Sequence, residues 1–301
     1  MTEVTPTVSD IANHLSGIVE GPDQPVTGLS PLTAPSTGNL TFVNDSLASA
    51  ESVAIALRVG AIILFPADAT SPRLDDGTII RVQNPRAAFA SVVQRFFSPV
   101  VEPGIAATAA VHPTATVANS AHIGEFSVIG PDVVVGDYSE VRNHVVLAAK
   151  VSIGGHCLIK SHAVIGEEGF GIDKDRNGNN VRLPHLGSVV IGDYVEVGAF
   201  STVCSGTISP TTVDHHTKID DHVHISHNCR VGSNVTITAC AEISGSVQIG
   251  DGAWIGPNAS ILQGLTISAN ALIGIGAVVT KSADASQVYF GNPARRIRDN
   301  V

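Results

Sequence analysis

From Val111 onward every sixth residue is aliphatic: Val111, Val117, Ile123, Ile129, Val135, Val141, Leu147, Ile153, Ile159 and Ile165. The register is lost after Ile165 and returns two positions out of phase at Ile191, Val197 and Val203. A four-residue insertion then restores the first phase at Val213, and it holds through Ile219, Ile225, Val231, Ile237 and Ile243 to Val279. Gly often follows the aliphatic residue, as at Ile123-Gly124 and Ile255-Gly256. A period of six suits neither the 3.6-residue helix nor the two-residue strand alternation. It suits a short strand followed by a tight corner. Three such units close a triangular coil of 18 residues, with the aliphatic side chain inside the prism. Corner conformations of this kind favour Gly and Asn. An ordinary β-sandwich would space its strands irregularly.

The two register breaks predict loops that leave the prism. The first, residues 167–188, carries Asp173, Lys174, Asp175, Arg176 and Asn177, too polar and too long for a corner. Long loops in compact folds are often functional, and this one is placed to wall a substrate cleft. Residues 1–105 lack the repeat. Ser9 followed by Asp10 to Leu15 reads as a short capped helix, and Val53 to Phe65 as a helix leading into a strand. Asn84-Pro85 followed by Arg86 to Phe97 reads as an amphipathic helix with Pro at its start. The expectation is a small α/β domain over 1–105, a β-helix over 106–281 and a short tail over 282–301.

Composition supports a solenoid. Aromatics are only 4% while Gly numbers 29, so small and β-branched residues must do the packing. A formal charge of −10 opposes nucleic-acid binding, which is driven by counterion release to Lys and Arg. The start of the chain has neither a basic n-region nor an apolar h-region, and no run is long enough to span a bilayer. A cytoplasmic protein without a membrane span is expected. Cys157, Cys204, Cys229 and Cys240 form no C-x-x-C pair and are expected as free, buried thiols.

Histidine carries the chemistry. His215, His216, His222, His224 and His227 cluster, and His227 is the third residue of its unit, pointing outward. One coil further on lies Gly245, and one more brings Gln263. Acyl transfer to an amine or hydroxyl needs a base for the proton, which neutral His supplies near its own pKa. It also needs donors for the oxyanion, which an unobstructed Gly N–H supplies. A corner histidine can equally serve only a local hydrogen bond. His144 and His162, 18 apart, are expected to stack on successive coils, as are Tyr138 and His156.

The segment Lys218-Ile219-Asp220-Asp221-His222-Val223-His224-Ile225-Ser226-His227-Asn228 resembles the K-[LI]-D-N-x-[IV]-x-I-[AS]-H-N stretch of the UDP-3-O-acylglucosamine N-acyltransferase family of the lipid A pathway. These are hexapeptide-repeat enzymes with left-handed coils. The insertion Gly166-Glu167-Glu168-Gly169-Phe170-Gly171 with Pro184-His185-Leu186-Gly187 resembles the family's G-x-x-G-F-G…P-x-x-G loop. Asn84-Pro85-Arg86-Ala87-Ala88-Phe89-Ala90 and Leu40-Thr41-Phe42 resemble its N-terminal motifs. The resemblance implies His227 as catalytic base and Gly245 as oxyanion donor; Asp220 or Asp221 is a candidate to orient the imidazole. The resemblance also implies Phe42 and Asn44 as nucleotide-binding residues and a homotrimer; His185, Asn228 and Gln263 are further substrate-binding candidates, and no resident cofactor or metal is expected.

Three departures accompany it. Ala48 stands where the family has a nucleotide-stacking Tyr, Gln263-Gly264-Leu265 lacks a second family His, and a helical extension associated with acyl carrier protein is missing. The chain instead ends Tyr289-Phe290-Gly291-Asn292-Pro293-Ala294-Arg295-Arg296. That resembles the close of coenzyme-A-dependent sugar acetyltransferases and implies Asn292, Pro293, Arg295 and Arg296 near the acyl donor. The favoured expectation is N-acylation of a nucleotide-activated amino sugar by acyl-CoA. The alternative is the lipid A acylation itself, with acyl carrier protein as donor and partner. A γ-type carbonic anhydrase is a third, remote reading, with His185, His222 and His227 on zinc.

Overall fold

The computed structural model describes residues 5–43, 49–70 and 77–300; Asn44 and Ala48 lie outside them. The chain divides into two compact units, Met1–Val100 and Val101–Val301.

In the first unit, helix α1 (Val8–Leu15) is capped by Thr7 rather than by Ser9. The Thr7 hydroxyl accepts from Asp10 N, and the Asp10 carboxylate accepts from Thr7 N in return, a reciprocal capping box. Strands β1 (Ile18–Glu20), β2 (Gly28–Leu29), β3 (Asn39–Phe42), β4 (Ile62–Pro66) and β5 (Thr78–Val82) form one sheet in the order β1-β5-β4-β3-β2. Helix α2 (Ala50–Val59) precedes β4. Helix α3 (Pro85–Val92) starts on an Asn84 cap and gives way to a π-helical turn over Val93–Phe97. Side chains of β4 alternate between two cores. Ile62 and Leu64 join α1 and Val92, while Ile63 and Phe65 join Val53, Ala56 and Leu57 of α2. A sheet covered on both faces needs an unbroken apolar strand, hence the run Ala61–Phe65.

The second unit is a left-handed parallel β-helix whose three sheets have nine, eight and eleven strands. Most strands are two residues long, and outside the two insertions and the tail each pairs with the strand 18 residues on, as Val128 with Val146. Hydrogen bonds run from coil to coil, for example Val128 N to Val145 O at 2.8 Å. Ile129, Leu147, Ile165, Val203, Ile225, Ile243, Ile261 and Val279 stack inside one sheet, all buried. Each contributes roughly 1.5–3 kcal/mol by leaving water. The pairs Ile153 with Ile191 and Ile191 with Val213 show where the two insertions leave the coil. The first forms a β-hairpin, Ile172–Lys174 against Asn180–Arg182. The prism begins earlier than expected, since Gly104–Ile105 already pairs with His122–Ile123. The tail belongs to it as well: Gln287–Phe290 adds to the eleven-stranded sheet and Arg295–Asp299 folds back antiparallel. The Phe290 ring lies directly on Gly274, where a Cβ would sit 2.1 Å from it.

Corner residues depart from the Gly and Asn expectation. Along one edge the left-handed positions are Phe126, His144, His162, Phe200 and His222, with φ between 58° and 65°. Their rings stack at 5.2, 4.8, 4.7 and 5.2 Å. On a second edge Tyr138, His156, Tyr194 and His216 stack at 5.0, 4.7 and 4.8 Å. A left-handed non-Gly residue costs about 1–2 kcal/mol, and ring contact recovers about 0.5–1.5 kcal/mol of it per pair. Asn234, Gly252, Asn258 and Asn270 take these positions only in the later coils.

Candidate active site

His227 and Asn228 form a corner of the third edge, Asn228 taking the left-handed conformation at φ 60°. The His227 ring leans along the prism onto the next coil. A Cβ on Gly245 would lie 2.6 Å from Cε1 and 2.8 Å from Nε2 of that ring, so only glycine admits it. Gly245 O accepts from Gly264 N at 2.9 Å, but Gly245 N–H has no acceptor among the described residues. A free backbone donor thus lies beside an imidazole nitrogen, the arrangement needed to meet a developing oxyanion.

The first insertion covers the other side of the ring. A Cβ on Gly169 would lie 2.9 Å from His227 Cβ and Cδ2 and 3.1 Å from His185 Nε2. His185, 6% exposed, packs on His227 with ring centroids 4.9 Å apart and planes at 55°. Neither His185 nitrogen has a hydrogen-bond partner among the described residues. Arg182 pairs with Glu168 at 3.0 Å to close the base of the hairpin. Leu186 N and Gly187 N donate to Thr207 O and Gly206 O, both at 2.9 Å, so the two insertions are laced together. Burial first, then the imidazoles of His185 and His224, hold the His227 pKa below the ordinary histidine value. The ring is therefore neutral, and able to take a proton, over a wider pH range.

Cysteine chemistry is absent from this corner. Burial pushes the Cys204 thiol up to about 11 and the Cys229 thiol up to about 12, so neither is a thiolate at neutral pH. Cys240, expected to be buried, is exposed.

Several sequence expectations are corrected. Asp220 and Asp221 do not orient His227. Asp221 accepts from Ala199 N at 2.7 Å and pairs with Lys160 at 3.1 Å, and Asp220 accepts from Ala239 N at 3.2 Å. The reason is geometric: Asp221 precedes the left-handed His222 just as His227 precedes Asn228, which sets them on different edges of the triangle. His222 stacks on Phe200, so His185, His222 and His227 do not converge as zinc ligands, and no group of three metal-ligating side chains is found among the described residues. Asn228, read as a ligand contact, has its amide taken up by Thr207 and His227. Sequence reasoning missed Thr207 and Thr211; the four-residue insertion next to them was the available signal.

The remaining candidates lie elsewhere. Gln263 is exposed one coil beyond Gly245. Phe42, in the first unit, is half-buried and packs on Phe89 at 4.8 Å. Asn292 and Pro293 form the turn of the terminal hairpin. Arg295 and Arg296 are exposed, with Arg296 bound to Asp299 at 2.6 Å.

A left-handed β-helix presenting an imidazole over an open glycine N–H defines an acyltransferase of the hexapeptide-repeat class. The chain is 39% identical to the UDP-3-O-acylglucosamine N-acyltransferase of Cupriavidus taiwanensis over 95% of its own length and 86% of that protein. It is 33% identical to the protein of that name from Coxiella burnetii over 79% and 74%. It belongs to that family. Among solved structures it is similar to the UDP-N-acetylglucosamine acyltransferase of Francisella novicida, with TM-score 0.61, 28% identity and coverage of 65% of this chain and 71% of that one. LpxA from Acinetobacter baumannii gives TM-score 0.60, 26% identity, 65% and 74%. The GMPPB C-terminal domain family matches residues 105–213. These relatives favour the lipid A alternative over the acyl-CoA polysaccharide reading. Among the described residues no helix is long and apolar enough to cross a membrane.

Proposed function

We propose that the protein transfers an acyl group from a thioester to the amine of UDP-3-O-acylglucosamine, with acyl carrier protein as the donor's carrier. The observation that carries the reading is His227 lying on Gly245, whose N–H has no acceptor among the described residues. The sugar nitrogen attacks the thioester carbonyl carbon, and His227 takes the proton the nitrogen gives up. Gly245 N–H holds the oxyanion. The C–S bond then breaks, and the proton returns from His227 to the departing thiolate. A general base of this kind is worth roughly 10²–10⁴ in rate, and one oxyanion donor about 10²–10³. In this reading His185, whose nitrogens have no partner among the described residues, and the exposed Gln263 bind polar groups of the sugar, and Phe42 and Asn44 bind the nucleotide. A homotrimer and a cytoplasmic location complete the reading.

A second reading, with acyl-CoA as donor, draws on the terminal hairpin around Asn292-Pro293 and the exposed Arg295 and Arg296, which would meet the coenzyme's phosphates. A thiol-release assay separates the two. Turnover of UDP-3-O-acylglucosamine with long 3-hydroxyacyl carrier protein supports the first; turnover only with short acyl-CoA and another nucleotide-amino sugar replaces it by the second. Sedimentation giving an active monomer would remove the trimer.

A further inference from the structure

The second insertion has a definite task at the molecular level. Asn228 N donates to Thr211 Oγ1 at 2.9 Å, Thr207 N donates to Asn228 Oδ1 at 2.7 Å, and Asn228 Nδ2 donates to Thr207 Oγ1 at 3.0 Å. Gly206 permits this wrap, since a Cβ there would lie 1.8 Å from Ser209 O and 2.9 Å from Asn228 Oδ1. A backbone N–H can only donate, so the contact with Thr207 N fixes which end of the Asn228 amide is oxygen. The NH₂ end then faces His227 Nδ1 at 3.2 Å. An amide NH₂ can only donate as well, so the neutral ring must accept at Nδ1 and carry its one proton on Nε2, the nitrogen beside Gly245.

We propose that Asn228, clamped by Thr207 and Thr211, is a positioning residue that sets the tautomer of His227 and holds the resting ring with Nε2 protonated. This rests on the reading of His227 as proton acceptor and adds a step to it. Nε2 becomes a base only after it gives its proton to solvent water and Nδ1 takes one from solvent water, while the Asn228 amide turns over so that Oδ1 accepts from Nδ1–H and the bond from Thr207 N is released. The insertion is thus a latch on the base. An aspartate at the same place would meet no such conflict. Its carboxylate can accept from Thr207 N–H, Thr207 Oγ1–H and His227 Nδ1–H together, leaving the Nε2 lone pair free.

The test is the ring-nitrogen spectrum of ¹⁵N-histidine-labelled full-length protein at mildly alkaline pH, with His227 assigned by its loss in His227→Gln. The expected wild-type result is a protonated Nε2 and a bare Nδ1. In Asn228→Asp the two should exchange. On the plateau of its pH profile kcat/KM should rise roughly threefold to tenfold, the gain from no longer breaking one net hydrogen bond per turnover. A wild-type ring already protonated on Nδ1 overturns the proposal, and it does so even if the variant fails to fold. So does a variant whose tautomer stays unchanged, or exchanges while kcat/KM stays level or falls. Failure of the base assignment reads out separately, as turnover retained by His227→Ala.

Discussion

Histidine occupies two kinds of place in this β-helix, and the contrast shows what makes one of them chemical. On two edges His144, His156, His162, His216 and His222 stand in regular stacks with their rings near-parallel to their neighbours. They take left-handed corners and relieve that strain by ring contact. On the third edge His227 precedes its corner instead of occupying it, leans over a glycine, and meets His185 from an insertion. There the repeat is broken twice: the first break brings His185 and Gly169 onto the ring, and the second holds Asn228 beside it. The stacked histidines repeat because the coil repeats; the paired ones exist because it does not.

The largest expected break in that contrast is His227→Ala. It should lower kcat by at least about 10² with little change in sugar binding, measured by steady-state kinetics and ligand titration. Near-normal turnover would place His227 with the structural histidines. Gly245→Ala comes next. Its methyl would sit 2.6 Å from the ring, which must swing away, and a displacement near 1 Å costs about 10² in turnover. An unchanged kcat would mean the ring does not work from this position.

His185→Phe keeps the ring packing and removes both unpaired nitrogens. The acceptor KM should rise roughly tenfold with kcat largely kept, the price of about one buried hydrogen bond. A KM at the wild-type value would make His185 a spacer. The pH profile sharpens the same point. The base must be neutral, and burial with two neighbouring imidazoles depresses its pKa. Activity should therefore persist on acidification past about 6.5, the ordinary histidine value, and fall only as pH drops through the lower folded-state pKa. A limb at or above the ordinary value would contradict the environment described. The smallest effect is reserved for the stacks. His162→Asn exchanges ring contact for a residue that tolerates φ > 0, so Tm should move by only about 2–4 °C and kcat not at all. Loss of activity there would erase the distinction.

Much of the molecule could be read along the chain. The six-residue period located the interior aliphatics, both insertions and the 18-residue relation between His227 and Gly245, because in a solenoid spatial neighbours stand at fixed sequence intervals. The same rule anticipated His144 on His162 and Tyr138 on His156. It gave way where the interval did: Asp220 and Asp221 precede His227 by only a few residues, yet a few residues along a coil lead to another edge. Thr7 rather than Ser9 caps α1 because Asp10, three residues on, closes a capping box with it, a local rule legible in the sequence.

Repetition in the sequence by itself determined the architecture, the buried positions and the coil-to-coil neighbours of every regular residue. Only the tertiary structure decided what the irregular residues do. It brought His185 across the inserted hairpin onto His227 and wrapped residues 206–211 around Asn228. It also left the Gly245 N–H without an acceptor among the described residues. A period fixes contacts between residues that obey it, while an insertion is placed by hydrogen bonds and packing that no interval encodes.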